Sequence, residues 1–105
     1  RLIVADTGWK SFGIGAEIVA MVAESGIRLA APPLRIALPD LPTPTSSALA
    51  ASYYPTSVDI FRSGLVLVGK KQSFVDRATA RYSSAVTGTP GYAADQPDPT
   101  FLGPF

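Results

Sequence analysis

The aliphatic run at residues 2–5 constrains the fold most, because in a strand its side chains point to both faces and both faces are then apolar. Such a run is typical of a strand that is covered on both faces in a parallel sheet. A turn composition follows at residues 6–8, and residues 13–17 favour the start of a helix. The beginning of the chain therefore predicts a strand, a tight loop and a helix, in the order found in α/β folds.

The predicted helix carries one stripe that a core could cover. Glu17 lies in its first turn, where the helix dipole favours a negative charge. Gly26 suits the left-handed residue that ends many helices. The stripe comprises, at helical spacing, Ile14, Ile18, Met21, Val22 and Ser25.

A second strand is predicted at residues 34–38, where Arg35 interrupts an apolar run. A proline-rich segment follows at residues 39–44. Because proline fixes φ and removes a hydrogen-bond donor, this segment predicts a rigid, extended connection.

Helices are expected after the proline-rich segment. The hydroxyl residues at 45–47 can cap a short helix that continues to residues 53–54, and Pro55 ends it. Thr56 or Ser57 can cap the next helix. Its apolar stripe comprises Val58, Phe61, Leu65 and Val68.

We predict a partial α/β domain at residues 1–71 and an extension at residues 72–105. The extension begins with a helix at 73–82, separate from the preceding helix or continuous with it, and goes on as an extended tail. This irregular tail is rich in proline and glycine and cannot form a packed core by itself. Its aromatic residues are Tyr92, Phe101 and Phe105. They are expected either to lie on their own domain or to fill grooves on a neighbouring subunit.

Composition excludes several classes of function. The chain has 105 residues, a net charge of +1, no cysteine and no histidine. Without these two residue types it lacks thiolate metal ligands and the usual proton shuttle near neutral pH. The chain has no basic stripe of the kind that indicates nucleic-acid binding, and it has no apolar run long enough for a membrane span. We therefore expect no catalytic, cofactor-binding or metal-binding residues in this chain.

Gly13 and Gly15 stand where a dinucleotide-binding motif would place them, between a strand and a helix. The full motif needs a third small residue, and Ile18 occupies that position. Close packing or a tight entry into the helix explains the two glycines better.

The loops suggest an interaction surface more strongly than an active site. Asp6 follows the first strand, where ligands bind in open α/β sheets, although a turn aspartate is common there. Trp9 and Phe12 lie in the loop before the first helix, either pinned beneath the helix or offered to a partner. Asp40 lies in the proline-rich segment. These four residues join the three tail aromatics as candidate interface residues.

Three blocks of the chain, taken in order, resemble one family. They are the block at residues 2–18 with Gly-Ile-Gly-Ala-Glu-Ile, the block at residues 34–44 with Pro-Asp-Leu-Pro-Thr-Pro, and Leu49 with Tyr54, Pro55 and Ile60. The chain is similar to the transketolase C-terminal domain, in the version carried by beta subunits of pyruvate and branched-chain 2-oxoacid dehydrogenases. The resemblance covers roughly residues 1–69, and the two long blocks together are fairly specific.

The resemblance implies a three-layer α/β fold and a role in assembly. In the family, thiamine diphosphate, magnesium and the catalytic residues lie on other domains and on the alpha subunit, so this chain alone is expected to bind no cofactor. The implied partners are the alpha subunit, a second beta subunit and the acyltransferase core. An incomplete sheet with open edges also predicts self-association.

The chain departs from the family at both ends. Further strands and a helix precede the position of Arg1 in the family, whose domain usually ends near Lys71. Because the chain opens at Arg1 directly into an apolar run, a fragment cut before a strand is expected in preference to a natural N-terminal strand. The expected location is cytoplasmic. Asp6 stands where the family commonly has glutamate. A fragment of a single-chain transketolase-like enzyme, or a small α/β ligand-binding module, stays an open alternative.

Overall fold

The computed structural model describes residues 1–50 and 52–87. Over these residues the chain alternates between strands and helices and then ends in consecutive helices. The elements are β1 (Ile3–Trp9), α1 (Ile14–Glu24), β2 (Leu34–Leu38), α2 (Ser47–Ala50), α3 (Ser57–Leu67) and α4 (Gln72–Thr87).

The two strands pair in parallel, with Ile3 opposite Leu34 and Trp9 opposite Leu38. Ala5 lies opposite Ile36, and the register shifts after this pair, so β1 has three residues before Trp9 where β2 has only Ala37 before Leu38. Residues 6–8, predicted as a turn, therefore stay in the strand as an irregular stretch of it. The predicted fold class is confirmed: the chain is α/β, with a parallel sheet and flanking helices.

Helix α1 begins where the chain passes closest to the end of β1. A side-chain carbon added to Gly13 would lie 2.2 Å from the carbonyl oxygen of Trp9, which leaves no room for it. At the buried Gly15 the same carbon would lie 3.5 Å from Val4, an ordinary contact distance. The predicted tight entry into the helix is thus a property of Gly13. Gly26, with φ of 72°, follows the end of the helix as expected.

The predicted stripe of α1 is only partly covered. Ile18 and Val22 are half-buried, whereas Ile14 and Met21 are 58% and 60% exposed. A two-stranded sheet is too narrow to cover the whole stripe, so half of the predicted core side of α1 faces solvent.

Tyr53 anchors the proline-rich segment. This residue is only 7% exposed, and its hydroxyl donates a hydrogen bond to the carbonyl of Leu41 at 2.8 Å. Helix α2 ends at Ala50, earlier than predicted. The Ser46 hydroxyl accepts a hydrogen bond from the Leu49 amide at 3.3 Å, which confirms capping from the predicted hydroxyl cluster.

Helices α3 and α4 form a hairpin around one buried side chain. Val75 is fully buried, and the rings of Phe61 and Tyr82 stack with centroids 4.5 Å apart. Gly69, with φ of 81°, separates the two helices, because a left-handed residue ends a helix. Val68, predicted as part of the apolar stripe, is 48% exposed and lies just beyond α3, which ends at Leu67.

The described residues bury few large apolar side chains. Only Leu38, Tyr53 and Val75 lie in the hydrophobic core of this part of the chain. The packing within the chain is therefore thin, and local features such as helix entries and caps carry a large share of its stability.

The two glycines of α1 offer a matched test of this packing. Gly13→Ala is expected to destabilise the fold by about 1–3 kcal/mol, because the added methyl group must displace the Trp9 carbonyl. Gly15→Ala is expected to be neutral or to stabilise by up to about 1 kcal/mol, since alanine favours helix. Urea unfolding monitored by far-UV circular dichroism measures both. Equal losses in the two variants would contradict the proposed role of Gly13.

The cap of α3 is expected to weaken in acid. Thr56 and Asp59 form a capping box in which the Thr56 hydroxyl and amide both donate to the Asp59 carboxylate, at 2.6 and 2.8 Å. These hydrogen bonds lower the pKa of Asp59 below its ordinary 3.8. A lowered folded-state pKa means that the contribution to stability is present above pH 3.8 and is lost as the pH falls below it.

Thr56→Ala should lower the free energy of unfolding by about 1 kcal/mol at neutral pH. It should also weaken the acid dependence, because the hydroxyl donor is gone. Ser57→Ala, a matched change one residue later in the exposed first turn, is the control and should leave both properties unchanged. Thermal unfolding of the parent and both variants between pH 2 and pH 7 measures these effects. If Thr56→Ala has the same stability and the same pH dependence as the parent, the capping role of Thr56 is wrong.

Candidate functional site

The loop between β1 and α1 is held to β2 by two polar contacts. The Lys10 amide donates to the carbonyl of Leu38 at 2.8 Å, and the Arg35 guanidinium donates to the carbonyl of Lys10 at 2.6 Å. Arg35, which interrupts the apolar run of β2, therefore spans the sheet to hold the loop. This contact explains a charged residue within an otherwise apolar strand.

Asp40 fixes the next residue of the loop. Its two carboxylate oxygens accept hydrogen bonds from the Ser11 amide at 3.0 Å and the Ser11 hydroxyl at 2.6 Å. These bonds lower the pKa of Asp40, and the charges of Lys10 and Arg35 act in the same direction. The carboxylate therefore stays ionised and joins the ends of the two strands.

Phe12 is the most exposed large apolar residue of the described chain. Its side chain has 103% of its reference accessibility, and its backbone has a φ of 59°. A left-handed conformation costs a residue with a side chain roughly 1–2 kcal/mol. Trp9, predicted to lie in the loop, is the last residue of β1 and is 58% exposed. The sequence left open whether these rings are pinned beneath the helix, and the structure places both of them in solvent.

A shallow cavity of about 300 Å³ lies beside the loop, lined by Trp9, Asp40, Leu41 and Pro42. Leu41 is 60% exposed. We name the five residues Trp9, Phe12, Asp40, Leu41 and Pro42 the strand-end surface. It combines two aromatic rings, an aliphatic side chain and one ionised carboxylate at the carboxyl end of the sheet.

Asp6 lies apart from the Asp40 contacts. Its carboxylate is close to the backbone of Gly8, where an added side-chain carbon would lie 2.8 Å from it, and it also faces Gly13. Among the described residues, no group of three or more histidine, cysteine, aspartate or glutamate side chains could hold a metal ion. In the same residues, no helix is long and apolar enough to span a membrane.

The sequence named four candidate interface residues within the described chain and missed three residues of this region. The structure brings Trp9, Phe12 and Asp40 to the same end of the sheet, whereas Asp6 contacts the start of α1. Tyr92, Phe101 and Phe105 lie outside the described residues. The roles of Ser11, Arg35 and Leu41 were missed, although a lone arginine within an apolar strand was a signal for a specific contact.

Comparisons with known proteins are consistent with this architecture. Residues 1–60 match the family described as transketolase, C-terminal domain. The mitochondrial pyruvate dehydrogenase E1 component subunit beta of Caenorhabditis elegans is 39% identical over 65 residues, which are 60% of this chain and 18% of the relative. No solved structure gives a significant match.

Two further relatives have the same name. The Drosophila melanogaster protein is 35% identical over 73 residues, or 68% of this chain and 20% of the relative. The protein of Chaetomium thermophilum is 39% identical over 57 residues, or 53% of this chain and 15% of the relative. The chain thus spans about a fifth or less of the length of the curated relatives that it matches.

The expected cytoplasmic location is wrong, because all three relatives are mitochondrial proteins. The residues that form strands, helices and caps fold alike in either compartment, so the sequence patterns carried no information on location. The family resemblance, by contrast, is confirmed over more than half of the chain. The chain belongs to the transketolase C-terminal domain family.

Proposed function

We propose that the chain is an assembly portion of the beta subunit of a thiamine-diphosphate-dependent 2-oxoacid dehydrogenase. In this proposal it holds the alpha subunit and a second beta subunit together and helps to dock the acyltransferase core. Its relatives, which are mitochondrial beta subunits of pyruvate dehydrogenase, support a mitochondrial setting. Thiamine diphosphate and magnesium would bind elsewhere in the complex, and this chain contributes no catalytic residue.

The exposed apolar residues support an assembly role. Ile14, Met21, Ile27 and Leu41 are each about 60% exposed, and the sheet formed by the described residues has two strands. Within that part of the chain each strand has one free edge, and unpaired edges invite pairing with another chain. Neighbouring protein would cover these side chains and continue the sheet.

Phe12 is the observation that carries the proposal. Among the described residues the Phe12 ring is fully exposed, on a backbone held in a left-handed conformation, so the folding of this part of the chain gains nothing from burial of the ring. Hydrogen bonds at Ser11 and Lys10 hold the loop in place next to it. A rigidly presented aromatic side chain is typical of the anchors that dominate protein interfaces.

Phe12→Gly separates folding from assembly. Glycine adopts a positive φ without strain, so the variant should be as stable as the parent or about 1 kcal/mol more stable. It should also lose most of its binding to the alpha and beta subunits. The tagged chain, coexpressed with both subunits from its own source, is purified by the tag and the retained subunits are quantified.

Val68→Ser is the control for this experiment. Val68 is 48% exposed between α3 and α4, outside the family match, and its loss should leave subunit retention unchanged. Retention of the subunits by Phe12→Gly at the parent level would contradict the proposed role of Phe12. A parent chain that retains neither subunit and sediments as a single monomeric species would contradict the assembly function itself.

The Asp40 contact gives a prediction on pH. Hydrogen bonds from Ser11 lower the folded-state pKa of Asp40 below its ordinary value of 3.8. Asp40 therefore anchors the loop above pH 3.8 and releases it as the pH falls below that value. Trp9 is the single tryptophan of the chain and reports on this loop. Its fluorescence should change below about pH 4 in the parent chain. Asp40→Asn should show the changed spectrum already at neutral pH, and an unchanged spectrum would contradict the anchoring role.

A further inference from the structure

Helix α4 has an exposed face that combines apolar and basic side chains. Arg77 and Arg81 stand one helical turn apart and, with Phe74 and Ala78, line a shallow cavity of about 360 Å³. Phe74 is 44% exposed at one end of this cavity. The apolar floor between two guanidinium groups distinguishes this face from an ordinary solvated helix surface.

A second cavity of about 300 Å³ continues the first along the helix. Its lining includes Phe61 and Tyr82, whose rings stack between α3 and α4, together with Ala78 and Arg81. Because Ala78 and Arg81 line both cavities, the two form one depression, which we name the α4 groove. Aromatic rings thus lie at both ends of the groove, and Arg81 stands between them.

The α4 groove lies in the most basic part of the chain. Residues 60–87 contain five basic side chains and one acidic side chain, although the whole chain has a net charge of only +1. The acidic residue, Asp76, is engaged by Arg62 at 3.7 Å and Gln72 at 2.8 Å. Within the described residues, neither Arg77 nor Arg81 has a carboxylate within ion-pair distance.

We propose that the α4 groove binds an acidic peptide segment of another protein. Apolar side chains of that segment would pack between Phe74 and Tyr82, and its carboxylates would pair with Arg77 and Arg81. Guanidinium groups recognise carboxylates through paired hydrogen bonds, and neighbouring apolar contacts supply the affinity that exposed ion pairs lack. Helix α4 lies outside the family match at residues 1–60, so the inference does not rest on the proposed assembly function.

A protein segment fits the groove better than a nucleic acid. Nucleic-acid binding requires a longer row of phosphate contacts, and its affinity depends mainly on charge. Here the basic side chains flank an apolar floor within a short stretch of one helix. The ligand must therefore combine negative charge with apolar side chains, as an acidic amphipathic peptide does.

A fluorescein-labelled peptide tests the proposal by anisotropy titration with the full chain. The probe is a glutamate-rich peptide with leucine and phenylalanine at helical spacing, and a scrambled peptide of the same composition is its control. The designed peptide should bind more tightly than the scrambled one. Its affinity should also fall as salt rises, because exposed charges are screened. Equal binding of both peptides, or tighter binding of single-stranded DNA of equal charge, would overturn the inference.

Variants of the chain locate the binding site. Arg77→Gln with Arg81→Gln should weaken the designed peptide by about tenfold, as expected for two exposed ion pairs. Arg1→Gln with Arg28→Gln removes the same charge from exposed positions of the other part of the chain and should have no effect. Equal loss in both double variants would show a general charge effect and would overturn the assignment to α4.

The chain's own residues 88–105 are the competing occupant, since they contain Asp95, Asp98 and aromatic residues. Asp95→Asn with Asp98→Asn in the full chain separates the two cases. An unchanged affinity for the designed peptide supports a partner from another protein. A clear gain in affinity would show that the chain's own segment competes for the groove, and would overturn the assignment to a separate partner.

Discussion

The structure depends on a sheet that is too narrow to bury its own helices. Two strands cannot cover α1, and Ile14 and Met21 are left in solvent although their spacing suits a core. Each large apolar side chain that a neighbour covers contributes about 1.5–3 kcal/mol. Much of the hydrophobic free energy of these side chains is therefore not gained within the described part of the chain. In the proposed assembly, the covering of this exposed surface supplies the driving force.

The polar contacts at the end of the sheet serve a different purpose from the apolar ones. Asp40 and Arg35 contribute little burial, yet they fix the backbone of the loop that follows Trp9 and carries Phe12. A loop that is ordered before binding loses less conformational entropy when a partner arrives. The strain at Phe12 is sustained by these neighbouring hydrogen bonds. The ring is thus positioned by groups that do not themselves need to contact a partner.

Short-range sequence patterns predicted most of the helices and strands. The features that these patterns missed depend on contacts between residues far apart in the chain. The bounds of β2 and the cap at Thr56 follow from apolar runs and hydroxyl chemistry, which act within a few residues. The continuation of β1 through residues 6–8 depends on its pairing with β2, which no local pattern reveals. Arg35 is similar, since its partner is the backbone of a loop 25 residues away. Phe12 could be named from sequence, but its exposure could not.

The two ends of the described chain differ in the chemistry that they offer. The strand-end surface belongs to the family domain and combines aromatic rings with the carboxylate of Asp40. The α4 groove lies beyond that domain and combines aromatic rings with the guanidinium groups of Arg77 and Arg81. A net charge of +1 conceals the basic character of the second region, because residues 1–59 carry a net charge of −1, residues 60–87 one of +4 and residues 88–105 one of −2. The two surfaces therefore favour different ligands, because one exposes a carboxylate and the other exposes two guanidinium groups.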